Sequence, residues 1–364
     1  MTHAQTRNAG EAPTVSYSAL QLRSRLFLHL RSRLPDRAVA GIAVVRGASA
    51  ECSAAWLPDT SSEEPAFLVY SITKSFIAAL ALMLQEEARL CLDDPLARWF
   101  PEVPAADRIS LRALLRHTAG VPDYGGLLAY HDAVRRSPGE PWSVGEFGRH
   151  TWERGLLFEP GTGWAYSNPG YLLVKRVLER VADESFAGLV ERRIGRRLGL
   201  ERTFVPESIE ALGCLALAMS TLLSPSHEPR DVRRSYHPGW VSHGVVSSTP
   251  SEVVRFLHAL FSGRIVGESA IDELTTLVPV PEAPAHWRKP SYGLGVMADP
   301  ESPYGPLFGH GGEGPGYRAS AFHAPRIAPG GATVCVLAGL ERDFSAESAV
   351  LDAFPLVVDD FQHV

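Results

Sequence analysis

Lysine is scarce in this sequence, and the scarcity points to one position. Lys74, Lys175 and Lys289 are the lysines among 35 basic residues, and all the others are arginine. Arginine stays protonated in proteins, whereas a buried lysine can lose its proton and act as a base. Lys74 stands within the apolar segment "FLVYSITKSFIAALALMLQEE" at 67–87, where such a change of protonation is favoured.

Other missing features exclude several classes of protein. A formal net charge of -6 provides no broad basic face, which argues against nucleic acid as the main partner. No stretch approaches about 18 unbroken apolar residues, and the first residues lack the pattern of an export signal. We therefore expect a soluble, cytoplasmic protein with no membrane partner.

The sequence also lacks the motifs of several enzyme classes and of metal sites. It contains no G-x-S-x-G, no H-E-x-x-H and no G-x-x-x-x-G-K-[ST] motif. Its cysteines are scattered, with no C-x-x-C and no histidines at ligand spacing: Cys52, Cys91, Cys214 and Cys335. We predict four buried, reduced thiols, no metal site and no cofactor.

Strand patterns lie near both ends of the chain and helical patterns lie between them. β-branched and small apolar residues dominate 39–58, and strand signals return between about 291 and 340. We predict an α+β fold in which an antiparallel sheet, built from both chain ends and flanked by helices, carries an inserted all-α lobe. The expected sheet domain is 1–92 with 241–364, the expected helical domain is 93–240, and the active site should lie at their interface.

The apolar pattern predicts a helix from near Ser71 to about Leu92, and Ser71 and Lys74 are spaced so that they share one face of it. Residues three apart on a helix are neighbours, and both the apolar surroundings and the helix N-terminus disfavour a charged amine. A serine hydroxyl becomes a nucleophile when an adjacent base takes its proton. The alternative is that Ser71 only caps the helix while the Lys74 amine extends into water.

Two further segments carry residues suited to chemistry. "GTGWAYSNPGYLLV" at 161–174 places Tyr166 and Asn168 on a tight loop before a helix, where a phenol can relay a proton and an amide can hold a substrate. "LFGHGGEGPGYRAS" at 307–320 places two glycines at the end of a strand, where backbone can approach a ligand closely. An ordinary turn and a plain glycine-rich hairpin are the respective alternatives.

Taken in chain order, these motifs resemble the serine β-lactamase and penicillin-binding protein superfamily. The branch that they resemble includes class C β-lactamases, D-alanyl-D-alanine carboxypeptidases and related esterases. Further segments are similar to it in the same order, and the resemblance runs from about Val39 to Leu340: "HTAGVPDY" at 117–124, "RRLGLERTF" at 196–204, "GVVSSTPSEVVRFLHALFSG" at 244–263 and "YGLGVM" at 292–297.

The resemblance implies a role for each matching residue. Ser71 would be the nucleophile that forms an acyl-enzyme, and Lys74 would be its base. Tyr166 would share proton transfer with Lys74 and protonate the leaving group, while Asn168 would hold the substrate amide or the lysine. The backbone N–H groups of Ser71 and Glu313 would form the oxyanion hole.

One departure from the family pattern limits the substrate. His310, Gly311 and Gly312 stand where β-lactamases and carboxypeptidases carry Lys-Thr-Gly or Lys-Ser-Gly, so the permanent cation for a substrate carboxylate is missing. A histidine with an ordinary pKa is mostly neutral at pH 7. The three residues would still bind substrate along the strand edge, but efficient β-lactam hydrolysis is not expected.

We therefore expect a serine hydrolase acting on a small-molecule or peptide-like ester or amide. The alternatives are an acyltransferase of natural-product biosynthesis and a penicillin-binding-like sensor that is acylated without turnover. Aromatic residues near the motifs could line an acyl pocket or pack in the core: Tyr124, Tyr130, Trp142, Trp164, Trp240 and Tyr292.

Overall fold

A computed structural model describes residues 17–358, apart from 283 and 285. The helices of this part are α1 (Tyr17–Arg31), α2 (Thr73–Glu86), α3 (Leu111–Leu115), α4 (Leu128–Arg136), α5 (Val144–His150), α6 (Asn168–Ala182), α7 (Phe186–Leu189), α8 (Arg196–Leu198), α9 (Val232–Ser235), α10 (Pro250–Phe261), α11 (Glu268–Leu274), α12 (Ala346–Leu351) and α13 (Phe354–Val358). The strands are β1 (Ala40–Arg46), β2 (Glu51–Leu57), β3 (Phe67–Leu68), β4 (Met219–Ser220), β5 (Arg230–Asp231), β6 (Ser247–Ser248), β7 (Val278–Pro279), β8 (Ser291–Tyr292), β9 (Met297–Asp299), β10 (Leu307–Gly314), β11 (Tyr317–Ala324) and β12 (Ala332–Ala338).

The main sheet joins the two ends of the chain. Its eight strands lie in the order β2-β1-β12-β11-β10-β9-β8-β7, and every neighbouring pair is antiparallel. β1 pairs with β12 along its whole length, from Ala40 opposite Ala338 to Arg46 opposite Ala332. The predicted α+β fold, with its antiparallel sheet built from both chain ends, is confirmed.

Side chains on alternate strand positions supply two hydrophobic clusters on the two faces of this sheet. On one face, Ile42 and Val44 of β1 pack with leucines of α1 and with Phe354 of α13. On the other face, Ala43 and Val45 join the cluster that contains α2 and α10. The terminal helices thus cover one face, and the other face supports the helix that follows Ser71.

α2 is a buried helix rather than an amphipathic one. Every residue from Thr73 to Leu84 is buried, because the helix lies between the sheet and the helical part of the chain. A 3-10 turn at Tyr70–Ile72 precedes it, and the helix ends at Glu86, six residues before the expected end near Leu92. The helix ends early because Ala88 adopts a left-handed conformation, with a φ of 54°, which does not continue an α-helix.

The regular secondary structure between α2 and β6 is mostly helical. It contains α3 to α9, together with one pair of two-residue strands formed by β4 and β5. Ser167 caps α6 by accepting the Gly170 N–H at 3.0 Å, and this cap positions the preceding loop. The division of the chain into two domains at 92/93 and 240/241 stays a prediction.

Two expectations about surface and membrane can be compared with the structure. All four cysteines are unpaired, but Cys52 is half-buried and Cys91 and Cys214 are exposed, so the expectation of four buried thiols is wrong for these three. Cys52 lies on the edge strand β2, and Cys91 and Cys214 lie outside the main sheet, where packing covers a side chain less completely. Across the described residues, the helices are too short or too polar to span a bilayer.

Candidate active site

The chain makes a strained turn immediately before Ser71. Tyr70 has a φ of 43°, a left-handed conformation that is uncommon for a bulky residue. Its hydroxyl donates a hydrogen bond to the Pro315 carbonyl at 2.7 Å, which holds the ring against the end of β10. The strain is thereby compensated by tertiary contacts, and the turn sets Ser71 at the mouth of α2.

Lys74 lies beside Ser71 and is fully buried. Its Nζ is 3.2 Å from Ser71 Oγ, 2.7 Å from Asn168 Oδ1 and 3.3 Å from His243 Nε2. Burial lowers the pKa of the Lys74 amine to about 7, although the charge of Asp123 acts in the opposite direction. At neutral pH a large fraction of this amine is therefore unprotonated and able to accept a proton.

Tyr166 approaches the same serine from the helical part of the chain. Its hydroxyl donates to Ser71 Oγ at 2.8 Å, and its ring lies 4.7 Å from Lys74 Nζ. Desolvation raises the pKa of the Tyr166 phenol, with the hydrogen bond to Ser71 acting against that shift. The phenol remains protonated at neutral pH, so it can donate a proton, and Lys74 is the better base.

Asn168 is held by Asp123, a carboxylate to which no role was assigned from the sequence. Asp123 Oδ1 accepts the Asn168 backbone N–H at 2.8 Å, and Oδ2 accepts the side-chain N–H at 3.4 Å. Since the Nδ2 end of the amide faces Asp123, the Oδ1 end faces Lys74. Asp123 thus determines which end of the amide meets the amine.

β10 comes against the Ser71 turn at Gly312. A β-carbon added there would lie 2.3 Å from Val69 O and 3.0 Å from Ser71 N, so only glycine fits this close approach. Gly311 has far more room, because its nearest neighbour would lie 3.9 Å away. The end of β10 therefore runs beside the Ser71 N–H, and the exposed Glu313 side chain forms an ion pair with Arg318 away from it.

The His310 side chain is occupied within the protein. It is 2% exposed; its Nε2 lies 3.0 Å from the Tyr292 hydroxyl, and its Nδ1 lies 2.5 Å from the Gly311 carbonyl. Burial lowers the pKa of His310 to about 3, with the charge of Lys74 acting in the same direction. His310 is neutral over the working range of enzymes, so it provides no cation at this position.

Two other buried histidines border the site. His117 Nδ1 accepts the Ser167 N–H at 3.1 Å, and the His117 carbonyl accepts the Ala165 N–H at 3.0 Å, so this residue holds the loop that carries Tyr166. Burial and the neighbouring Lys74 charge lower the pKa values of both His117 and His243 well below the ordinary value. Both imidazoles are neutral.

The aromatic residues near the motifs divide into two groups. Tyr124, Tyr130, Trp142 and Trp240 pack on one another with ring centroids 4.6 to 5.9 Å apart. Trp164 and Tyr292 instead pack around His117, at 5.8 and 4.7 Å. The first group is core packing of the helical part, and the second forms the wall behind Tyr166.

The structure brings the residues singled out from the sequence to one place. Ser71, Lys74, Tyr166 and Asn168 are joined by direct hydrogen bonds, and Gly312 brings β10 alongside Ser71. Sequence reasoning missed Asp123 and His243. Asp123 lies inside "HTAGVPDY", where its carboxylate was a usable signal, whereas His243 has no local pattern that marks it.

Possible metal ligands are not clustered in the described part of the chain, 17–358 apart from 283 and 285. Among the residues described there, no group of three or more histidine, cysteine, aspartate or glutamate side chains is placed to hold a metal ion.

Comparisons with known proteins agree on one family. The model of the Beta-lactamase family matches residues 35–352. Penicillin-binding protein 4* of Bacillus subtilis is 27% identical over 299 residues, which are 79% of this chain and 63% of that protein. Esterase EstB of Burkholderia gladioli is 29% identical over 149 residues, which are 38% of each chain. This chain thus spans less than two thirds of the length of either relative.

A solved structure extends the similarity to the whole fold. The crystal structure of a D-stereospecific amidohydrolase from Streptomyces sp. is 26% identical and superposes with a TM-score of 0.76. The match covers 93% of this chain and 98% of the other. The architecture around Ser71 is therefore one that is found in hydrolases.

Proposed function

The chain belongs to the Beta-lactamase family, and from this premise we propose that it is a serine hydrolase that cleaves an ester or an amide through an acyl-Ser71 intermediate. The observation that carries the proposal is the contact of 3.2 Å between Lys74 Nζ and Ser71 Oγ at an amine whose pKa is about 7. A nucleophilic serine needs such a base within hydrogen-bonding reach.

Acylation follows from these contacts. Ser71 Oγ attacks the carbonyl carbon while its proton passes to the unprotonated Lys74 amine. In the proposed step the oxyanion that forms is stabilised by the backbone N–H groups of Ser71 and Glu313. The close approach of β10 to the Ser71 N–H at Gly312 supports this assignment. Two such donors lower the barrier by several kcal/mol, about 3 for each donor by analogy with other hydrolases.

The leaving group then departs with a proton. The Tyr166 hydroxyl, 2.8 Å from Ser71 Oγ, donates it to the amine or alkoxide that is expelled. Lys74 returns the serine proton to the phenolate, so that the site is ready for the second step. In deacylation, water attacks the acyl carbon and gives its proton to the same base, which regenerates Ser71 and releases the acid.

The substrate should carry no free carboxylate opposite β10. His310 is neutral, and both of its ring nitrogens are bound to Tyr292 and Gly311, so it offers neither charge nor a free donor. This supports an uncharged ester or amide over a β-lactam or a peptide with a C-terminal carboxylate. The similarity to an amidohydrolase and to an esterase supports either bond type.

A direct test measures product release from short-chain p-nitrophenyl esters and from D-amino acid amides. We expect turnover by the wild type, a mass increase on Ser71 equal to the acyl group, and loss of both in Ser71→Ala. Absence of any acylation of Ser71 by these substrates would contradict the proposal.

The same assay distinguishes the alternatives. Turnover that rises with added amines or alcohols, with formation of the conjugate, would identify acyl transfer in place of hydrolysis. A stoichiometric burst that then stops would identify a sensor. Peptides with a C-terminal amide should be cleaved at the same internal peptide bond at least tenfold faster than those with a free carboxylate, because the site offers that carboxylate no charged partner, which would contribute about 1.4 kcal/mol or more.

A further inference from the structure

The Lys74 amine has two hydrogen-bond partners besides Ser71, the serine to which the proposed mechanism couples it. Its three partners are Ser71 Oγ, Asn168 Oδ1 and His243 Nε2, at 3.2, 2.7 and 3.3 Å. An ammonium group has three N–H donors, and all three are satisfied by this set. The neutral amine has two N–H donors and one lone pair, so its orientation depends on which partners take the two hydrogens.

His243 is held firmly in its place. The Val246 N–H donates to Thr73 Oγ1 at 2.9 Å, which fastens the segment after His243 to the first turn of α2. On the other side, the Ser242 N–H donates to the Tyr124 hydroxyl at 3.1 Å. His243 itself is 1% exposed, so its ring meets Lys74 in a fixed and dry environment.

The tautomer of His243 decides whether its Nε2 can accept a hydrogen bond from Lys74. Within the described residues, His243 Nδ1 is buried without a partner, while Nε2 faces the amine. The groups that surround the ring are mostly cationic or neutral: Lys74 from α2, Lys175 and Tyr171 from α6, His310 from β10, and His117. A neutral ring whose Nδ1 carries the hydrogen leaves the Nε2 lone pair free to accept from Lys74.

We propose that His243 is a positioning residue: its Nε2 accepts one N–H of the Lys74 amine while Asn168 Oδ1 accepts the other, so that the remaining lone pair is directed at Ser71 Oγ. Asp123 contributes by keeping the Oδ1 end of Asn168 towards Lys74. The assignment rests on the proposed function, because orienting this lone pair matters only if Lys74 deprotonates Ser71.

A pair of substitutions with the same functional group tests the assignment. Gln places its carbonyl oxygen close to the position of Nε2, whereas Asn is too short to reach Lys74. We expect His243→Gln to keep kcat/KM within about threefold of the wild type. We expect His243→Asn to lower the value that kcat/KM reaches at high pH about tenfold or more. The acid limb of the plot of kcat/KM against pH should move to lower pH in His243→Asn, because the ammonium form of Lys74 loses one of its three acceptors.

A buried histidine outside the site provides the control. His258 of α10 is also 1% exposed, and it bonds to the Gly47 carbonyl at 3.1 Å. His258→Asn should match His243→Asn in loss of thermal stability but leave the kinetics and the acid limb unchanged.

The outcomes separate this assignment from the proposed function. The rate at which a fluorophosphonate phosphonylates Ser71, with fluoride as the leaving group, is followed by intact mass for every variant. If wild-type Ser71 is modified and His243→Asn keeps its rate and the acid limb of its pH profile, or if His243→Gln is as impaired as His243→Asn, the assignment to His243 is overturned alone. If wild-type Ser71 is neither phosphonylated by the reagent nor acylated by any substrate, the proposed function fails as well.

Discussion

Lys74 owes its chemistry to where its side chain ends rather than to its helix. The amine is fully buried and lies 4.7 and 5.3 Å from the ring centroids of Tyr166 and Tyr171, so water is excluded while hydrogen-bond acceptors remain. Burial makes the charged form of a lysine costly. It lowers the pKa of the Lys74 amine to about 7, and the charge of Asp123 opposes that shift.

Replacing Lys74 with arginine tests its role as a base. Arginine keeps the positive charge and hydrogen-bonding capacity but does not deprotonate in proteins, so kcat/KM should fall about 1,000-fold. Steady-state kinetics measure the loss. Lys289→Arg is the control, because Lys289 is 61% exposed in an ion pair with Glu301, and its kinetics should be unchanged. Near-normal activity of Lys74→Arg would refute the role of Lys74.

The pH dependence of kcat/KM should report the same amine. Catalysis needs unprotonated Lys74, so kcat/KM should rise with pH through about 7 and level off above it. His310, with a pKa of about 3, should contribute nothing in this range. Rates are measured with a substrate that does not titrate between about pH 5 and 9. A profile that is flat, or that falls through neutral pH, would contradict the expectation.

β10 and the turn before α2 act together because their backbones touch. Tyr70 in its left-handed conformation, and Gly312 facing Val69 and Ser71, form a contact between two elements that are far apart in the chain. Each side supplies one of the two N–H groups proposed for the oxyanion. The quality of this contact therefore determines how well the transition state is stabilised.

Alanine substitutions at the two adjacent glycines test this contact. In Gly312→Ala the new β-carbon meets Val69 O at 2.3 Å, so β10 must move away from Ser71, and kcat should fall about 100-fold or more. In Gly311→Ala the nearest atom is 3.9 Å away, and the loss should be much smaller. Kinetics are compared with thermal melting of both variants. Equal losses of kcat would show that the contact with Ser71 is not the cause.

The fold as a whole assembles the site from distant segments. The sheet brings β10 beside the Ser71 turn, while α2 packs between the sheet and α6, whose first residue is Asn168. Residues 71, 123, 166, 243 and 310 meet only when all these layers are in place. Packing that stabilises α2 therefore also holds the site residues together.

A core substitution in α2 tests this dependence. Leu80 is fully buried, so Leu80→Ala should lower the free energy of unfolding by about 3 kcal/mol through lost burial and the remaining cavity. Urea denaturation measures the change. Leu128→Ala, at a leucine that is 78% exposed, should change it by less than about 0.5 kcal/mol. Similar values for the two variants would contradict the burial of α2.

Several features were predictable because they depend on residues close together in the chain. The spacing of Ser71 and Lys74 follows from helix periodicity, and the glycines of "HGGEG" follow from the need for close backbone approach. The strand patterns near the two ends predicted one sheet correctly. The end of α2 was predicted too late, since the periodicity continued into a turn.

The amino-acid sequence by itself determined the fold class and the local pairing of Ser71 with Lys74, since periodicity and short spacings are local properties of a chain. The tertiary structure alone decided that Asp123 holds Asn168, that His243 meets Lys74 and that burial lowers the pKa of His310. These depend on contacts across 45 to 169 positions of sequence and on the water that packing excludes. Neither quantity can be read from neighbouring residues.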